Sequence, residues 1–330
     1  MESAFVISHG EDIDGIGSAS LLKLRYHIDS RDLFFINHSL DDFESAVRRI
    51  TPRLGAGSVV FLTDLSPSQN LIAPASRFVR AVNSRGGGVV WLDHHYWSDR
   101  AIREIALRCE TAIIGENKCA CATDITKRYT RLTGDFVERF VSLVHCIDLY
   151  LGFDSQPNPA WSRSAAKIYS MSINYLSGGG PFDAKQGRLR RVADLVSSGK
   201  FFDGRMRAAA RSYERVNRAR IRALVGNMGV IQGRMAVGFS REVDSSDACH
   251  AMIDRSGADI SVLVKTDSRT VSIRSMKSDI AVLATSLGGG GHPHAAGFEV
   301  PRAYDLARAS GRERFIECLV RRSRKLGLLE

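Results

Sequence analysis

Three short apolar runs in the first hundred residues each end on charged or imidazole side chains. Residues 5–8 lead into His9, Asp12 and Asp14; residues 59–63 end on Asp64; residues 89–92 end on Asp93, His94 and His95. A fourth run covers residues 33–36. Runs this rich in Val, Ile, Leu and Phe, without polar alternation, read as strands buried on both faces. Helix-like segments lie between and after them, at residues 18–26, 41–50 and 71–83. That rhythm predicts an α/β fold, a parallel sheet with helices on both faces. Ligands of such sheets bind beyond the carboxyl ends of the strands. Side chains far apart in sequence are therefore expected to converge.

A single aspartate at a strand end is commonly a helix cap, and two adjacent histidines are commonly incidental. The conjunction is a different matter. Carboxylates at this density, at the edge of a core, are costly unless paired or bound to a cation. A divalent cation would relieve their mutual repulsion. A mixture of carboxylate and imidazole suits manganese, with magnesium, cobalt or zinc as alternatives. No cysteine sits in the three strand-end motifs; Cys146 is two residues before the isolated Asp148. That weighs against a structural zinc site. The acidic ligands exceed what one ion needs, which implies two ions about 3.5–4 Å apart that activate a water and clamp a phosphoryl group.

The chain has 330 residues, enough for two domains and a joining segment. Residues 122–132, 136–149 and 165–175 read as helices, and SGGGP at residues 177–181 interrupts them. Residues 185–222 then carry twelve Lys/Arg against three Asp/Glu. They read either as a solvated helical linker or as a basic arm facing nucleic acid. A second alternation follows: strands at 228–232, 235–238, 259–265 and 270–274, helices at 246–256, 279–287 and 302–325. The expected division is a first domain at 1–180, a basic helical linker at 181–225 and a smaller α/β domain at 226–330. Glycine runs such as those at 86–88 and 178–180 read as loops. The run at 288–291, followed by His292, can bring backbone N–H groups close to an anion.

The motifs HGEDIDGIGSA, FLTD and LDHH, then Asp148, resemble the DHH phosphoesterase superfamily. SIRS at residues 272–275 and GGGGHPHAAG at 288–297 resemble its DHH-associated C-terminal domain, as in RecJ-type exonucleases and NrnA-type oligoribonucleases. The motifs span residues 9 to 297. The resemblance implies that His9 and Asp12 hold one metal, and that Asp14, His94 and Asp148 hold the other. Asp64 would bridge both. Asp93 would orient a ligand imidazole, and His95 would sit beside the substrate phosphate. Arg274, Gly290, Gly291 and His292 would grip the terminal nucleotide.

What this implies is a two-metal, manganese-dependent phosphodiesterase that releases mononucleotides from short oligonucleotides or single-stranded RNA or DNA. Two alternatives stand beside it. One is a hydrolase of 3′-phosphoadenosine 5′-phosphate or of cyclic dinucleotides; the other is an inactive nucleic-acid-binding scaffold. The net charge of +10 fits an anionic partner. No run approaches the ~20 apolar residues of a membrane span, and the N-terminus lacks the pattern of a secretory signal. Six cysteines without a C-x-x-C pair read as free thiols of a cytoplasmic protein. Relatives imply a homodimer.

Overall fold

The structure, a computed structural model, describes residues 3–37, 39–115, 119–149, 151–178, 181–241 and 243–330. Gly179 and Gly180 of the expected break lie outside these. The chain divides into two compact units, Met1–Tyr213 and Glu214–Glu330.

The first unit opens with β1 (Ser3–His9), α1 (Ile13–Tyr26), β2 (Leu33–Ile36), α2 (Leu40–Ile50), β3 (Ser58–Thr63) and α3 (Gln69–Asn83). It continues with β4 (Gly88–Asp93), α4 (Asp99–Glu104), β5 (Thr111–Ile114), α5 (Ala122–Thr130) and α6 (Asp135–Asp148). The helices α7 (Pro159–Ser177) and α8 (Phe182–Ser197) follow, and α9 (Gly204–Gly226) runs across the division between the units. Among the described residues the strands form a parallel sheet in the order β2-β1-β3-β4-β5. Alternate strand residues feed two cores. Val6, Phe35, Phe61 and Leu92 pack with α1, α5, α6, α7 and α8 on one face. Phe5, Ile7, Leu62 and Trp91 pack with α2, α3 and α4 on the other. Each such side chain stabilises the fold by roughly 1.5–3 kcal/mol on burial. The continuous apolar runs are therefore strands clothed on both sides.

Several boundaries differ from expectation, three of them for reasons that can be named. The first helix begins at Ile13, five residues before the expected Ser18, because the Asp12 side chain caps it by accepting from Asp14 N and Gly15 N, 3.1 Å each. Gly15 is required there: a Cβ would stand 2.3 Å from the His9 carbonyl oxygen. Strand β5 went unread because it is short and half exposed at the sheet edge. The expected linker also divides differently. Leu189, Val192, Ala193 and Val196 of α8 are buried in the core of the first unit, a helical spacing of apolar positions among the arginines. Thus α8 is a core element, while Arg211, Arg215 and Arg218 of α9 are exposed.

The second unit contains β6 (Gly229–Ile231), β7 (Met235–Ser240), α10 (Ser245–Ser256), β8 (Ile260–Lys265) and β9 (Thr270–Ser275). It ends with α11 (Ala281–Ser286), β10 (Gly290–His292), β11 (Ala295–Glu299) and α12 (Ala309–Lys325). Its described strands form a mixed sheet in the order β10-β11-β9-β8-β7-β6. One face packs on α11 and α12 through Val262, Ile273, Phe298 and Phe315. The other packs on α10 through Ala236, Leu263, Cys249 and Met252. The glycine run, expected as a loop against an anion, includes a strand: Gly290–His292 pairs antiparallel with β11 at the sheet edge. Gly291, at φ 138°, would place a Cβ 2.5 Å from Ala296 Cα, so that pairing requires glycine. Among the described residues no helix is long and apolar enough to cross a membrane, and the six cysteines are free thiols.

Candidate metal centre

Strand ends β1, β3 and β4 lie side by side, so the register brings the expected motifs together. Ser8 pairs with Thr63, and Thr63 with Leu92. Asp64 stands one residue past β3 at the centre. It is 2 % exposed and adopts the left-handed conformation, φ 56°. That region is sparsely used by non-glycine residues, and aspartate tolerates it better than most. Its amide still donates to Leu92 O at 3.0 Å, so the turn is anchored while the carboxylate spans the site. Oδ2 lies 3.5 Å from His9 Nδ1; Oδ1 lies 3.5 Å from His94 Nε2 and 3.8 Å from His95 Nδ1.

Two ligand groups flank this residue. His9, Asp12 and Asp64 place one donor atom each within 4.8 Å of one another, and so do Asp14, His94 and Asp148. In the first group His9 Nδ1 is 3.0 Å from Asp12 Oδ2. In the second, His94 Nε2 is 3.7 Å from Asp148 Oδ2 and 3.8 Å from Asp14 Oδ2. The latter spacings exceed hydrogen-bond length. Asp64 Oδ2 and Asp148 Oδ2 are buried and accept no hydrogen bond from the described residues. Buried carboxylate oxygens are seldom left so, and a divalent cation supplies what they lack. The donor set, carboxylate and imidazole, fits the class of ion expected.

Electrostatics point the same way. Burial drives the Asp14 carboxyl well above the usual range, and the charges of Asp64, Asp148 and Asp12 push it further. Burial, with Asp64 and Asp12 nearby, lifts Asp148 to about 6 against the pull of His94. Burial would lower both imidazoles, but the surrounding carboxylates outweigh it, Asp12 and Asp64 first at His9 and Asp64 first at His94. They hold His9 up at about 12 and His94 at about 9.

The supporting shell is specific. Asp14 receives Ala122 N at 2.8 Å and Thr123 N at 2.7 Å, so it meets the positive end of α5. Thr123 Oγ1 also donates to the Asp14 carbonyl oxygen at 2.9 Å. Asp93 is fully buried; it meets His95 Nδ1 at 2.8 Å and accepts from Trp97 Nε1 at 2.7 Å. The imidazole that Asp93 orients is therefore His95, which lies outside these two groups but forms a further set of close donors with Asp64 and His94. His95 itself is 41 % exposed. Beside Asp12 and Asp148 opens a cavity of about 500 Å³, bounded by Lys167, Ser170 and Asn174 of α7. These three residues, with Thr123 and Trp97, escaped the sequence reading. The polar stripe at 167, 170 and 174 has helical spacing, the one signal that could have revealed it.

In the second unit Arg274, Ala295 and His292 fall in one row across β9, β11 and β10. Residues in one such row point to the same face, with the small Ala295 between the two cationic or polar side chains. Gly290, Gly297 and Ser272 form the next row on that face. The result is a flat, side-chain-poor platform edged by Arg274 and an exposed His292.

Residues 206–319 match the DHHA1 domain family. The parallel-sheet unit lies ahead of that match. Three solved structures share the fold at low identity. An exopolyphosphatase-related protein from Bacteroides fragilis is 16% identical, with 98% of this chain and 93% of that one covered, at a TM-score of 0.52. The pGpG-specific phosphodiesterase PggH from Vibrio cholerae is 12% identical, with 96% and 97% covered, at 0.51. CDC45 from Entamoeba histolytica is 8% identical, with 96% and 95% covered, at 0.53. No curated protein sequence matches the chain.

Proposed function

We propose that the protein is a divalent-metal-dependent phosphodiesterase that hydrolyses short oligonucleotides to mononucleotides. The observation that supports this most directly is the pair of three-residue groups, one containing Asp64 and the other meeting it through His94 Nε2 at 3.5 Å, with Asp64 Oδ2 and Asp148 Oδ2 left without hydrogen bonds from the described residues. His9, Asp12 and Asp64 would hold one ion, and Asp14, His94, Asp148 and Asp64 the other. Bound there, two ions would supply an activated water and neutralise charge on the phosphoryl oxygens, with manganese as the proposed metal. The protein's own side chains do the rest. Asp93 accepts from Nδ1 of His95, so the protonated ring can donate from Nε2 to a phosphate oxygen or pass that proton to the leaving oxygen. Asp14, tied to two amides of α5, keeps its orientation when charge changes around it. Arg274 and His292 would engage a second phosphate or a base on the platform, since a guanidinium can bind a phosphate through two nitrogens at once.

The cavity beside Asp12 and Asp148, about 500 Å³, lies within the range of small-ligand sites. It favours a substrate of a few nucleotides over a long duplex. A small dinucleotide is the second reading, in keeping with the fold shared with a pGpG-specific phosphodiesterase. A panel in Mn²⁺, from dinucleotides to long single strands of RNA and DNA labelled at either end, tests the proposal. Release of mononucleotides fastest from two- to five-residue substrates is expected. Bound metal without hydrolysis of any member would defeat it and favour a binding scaffold.

A further inference from the structure

The parallel pair β7 and β8 ends on Ser240 and Lys265, and a cavity of about 770 Å³ opens there, inside the second unit. Its walls carry Arg220, Arg241 and Arg312, the hydroxyls of Ser240 and Thr266, and one acid, Asp267. The two loops are tied by Thr266 N donating to Ser240 O at 2.8 Å. Arg312 is held in place. Its Nε donates to Leu306 O at 2.7 Å, and its guanidinium lies 5.3 Å from the centre of the Phe239 ring. Its terminal nitrogens have no carboxylate partner among the described residues, and neither does Arg241.

Arg312 also sits in the first turn of α12, which contains no acidic residue. A cation at the positive end of a helix is in the unfavourable place. An anion in the cavity would reverse that. The carboxyl ends of parallel strands are where α/β sheets commonly receive ligands, and here the rim supplies guanidinium forks and hydroxyls suited to phosphate. The site is separate from the platform. Arg274 pairs with Ser261 at the start of β8, and Lys265 lies four residues on, about 13 Å along the strand.

We propose that this cavity is a second phosphate-binding site, for a nucleotide-sized ligand, built on Arg241 and Arg312 and distinct from the Arg274–His292 platform. The phosphate could belong to a free nucleotide or to the end of a strand, and the test separates them. Binding is measured by calorimetry on the full chain with a chelator present, so that no hydrolysis occurs and the acidic centre repels anions. The probes are inorganic pyrophosphate, adenosine 5′-monophosphate and a phosphorothioate pentanucleotide. Arg241 is exposed and touches no core, so Arg241→Glu keeps the fold, as a melt will verify. That variant, and separately Arg312→Lys, should weaken binding at least tenfold. Arg241-dependent binding of the two small probes assigns a free nucleotide; such binding of the pentanucleotide alone assigns a strand end. Either bears the proposal out. No binding of any probe, or binding of every probe unchanged by Arg241→Glu, overturns it. Because the readout is metal-free binding, it stands apart from whether the proposed hydrolysis occurs.

Discussion

Asp64 concentrates the logic of the centre in one side chain. Its left-handed backbone costs about 1–3 kcal/mol, and the carboxylate it presents crowds Asp14 and Asp148. Such strain persists where function demands it. Replacing it by asparagine should abolish metal-dependent hydrolysis while the metal-free protein keeps its fold, because asparagine tolerates the same backbone conformation. Kinetics in Mn²⁺ and a melt in chelator check both halves; an active variant would sink the shared-ligand assignment. Trp97 is the counterpart outside the metal groups. Trp97→Phe removes the donor to Asp93 Oδ2 and leaves a buried oxygen unsatisfied, at a cost of about 1–3 kcal/mol. It should lower kcat as His95 loses its fixed orientation, with metal affinity unchanged. A loss of metal instead would mean that Asp93 supports the ligands rather than His95.

At the scale of elements, caps and turns decide what the apolar pattern leaves open. The segment between β9 and α11 is held by one carboxylate. Asp259 accepts from Lys277 N at 2.7 Å, Met276 N at 3.2 Å and Ser275 Oγ at 3.2 Å, and from Ser278 Oγ. Burial alone would raise its pKa, but these donors, Ser278 first, hold it below the usual carboxylate value. A depressed folded pKa means stability present above about pH 4, the unfolded value, and lost as pH falls through the folded one. Asp259→Ala should therefore destabilise the second unit by about 1–2 kcal/mol at pH 7, a figure kept modest by partial exposure. The difference should shrink in acid. Denaturant titrations at pH 7 and pH 3 measure it, and a difference equal at both would refute the charge-based account. Residues 181–197 teach a related lesson. Arginine density marks them as surface, yet α8 is buried along the stripe Leu189, Val192, Val196, because a helix needs only one apolar face.

At the scale of the molecule, each unit has its own cores. A ligand that binds only one should stabilise only that one. Mn²⁺ at a hundredfold excess over its dissociation constant would add about 2.7 kcal/mol to the first unit. A thermal scan should show its transition rising while that of the second unit stays in place, and Asp64→Asn should erase the shift. Equal movement of both transitions would mean that the units unfold together or that metal binds elsewhere.

The order of strands and helices, and the candidate ligands at the strand ends, were legible in the chain itself. Buried parallel strands announce themselves as unbroken apolar runs, and a carboxyl-end site follows from topology. Asp64 and His94 could be named because carboxylates and imidazoles at strand ends have few uses; Asp148, at the end of a helix, was named only through the resemblance to a known family. Tertiary structure alone decided the rest. Which imidazole Asp93 would hold depended on a turn geometry that sequence does not encode locally. The pairing of Gly290–His292 as an edge strand came from β11, a partner whose small residues give little strand signal. Lys167, Ser170 and Asn174 border the cavity only because α7 packs against α6, and Arg241 and Arg312 share a cavity although 71 residues separate them. Local propensity and periodicity act over a few residues; what distant side chains do together is settled only when the cores close.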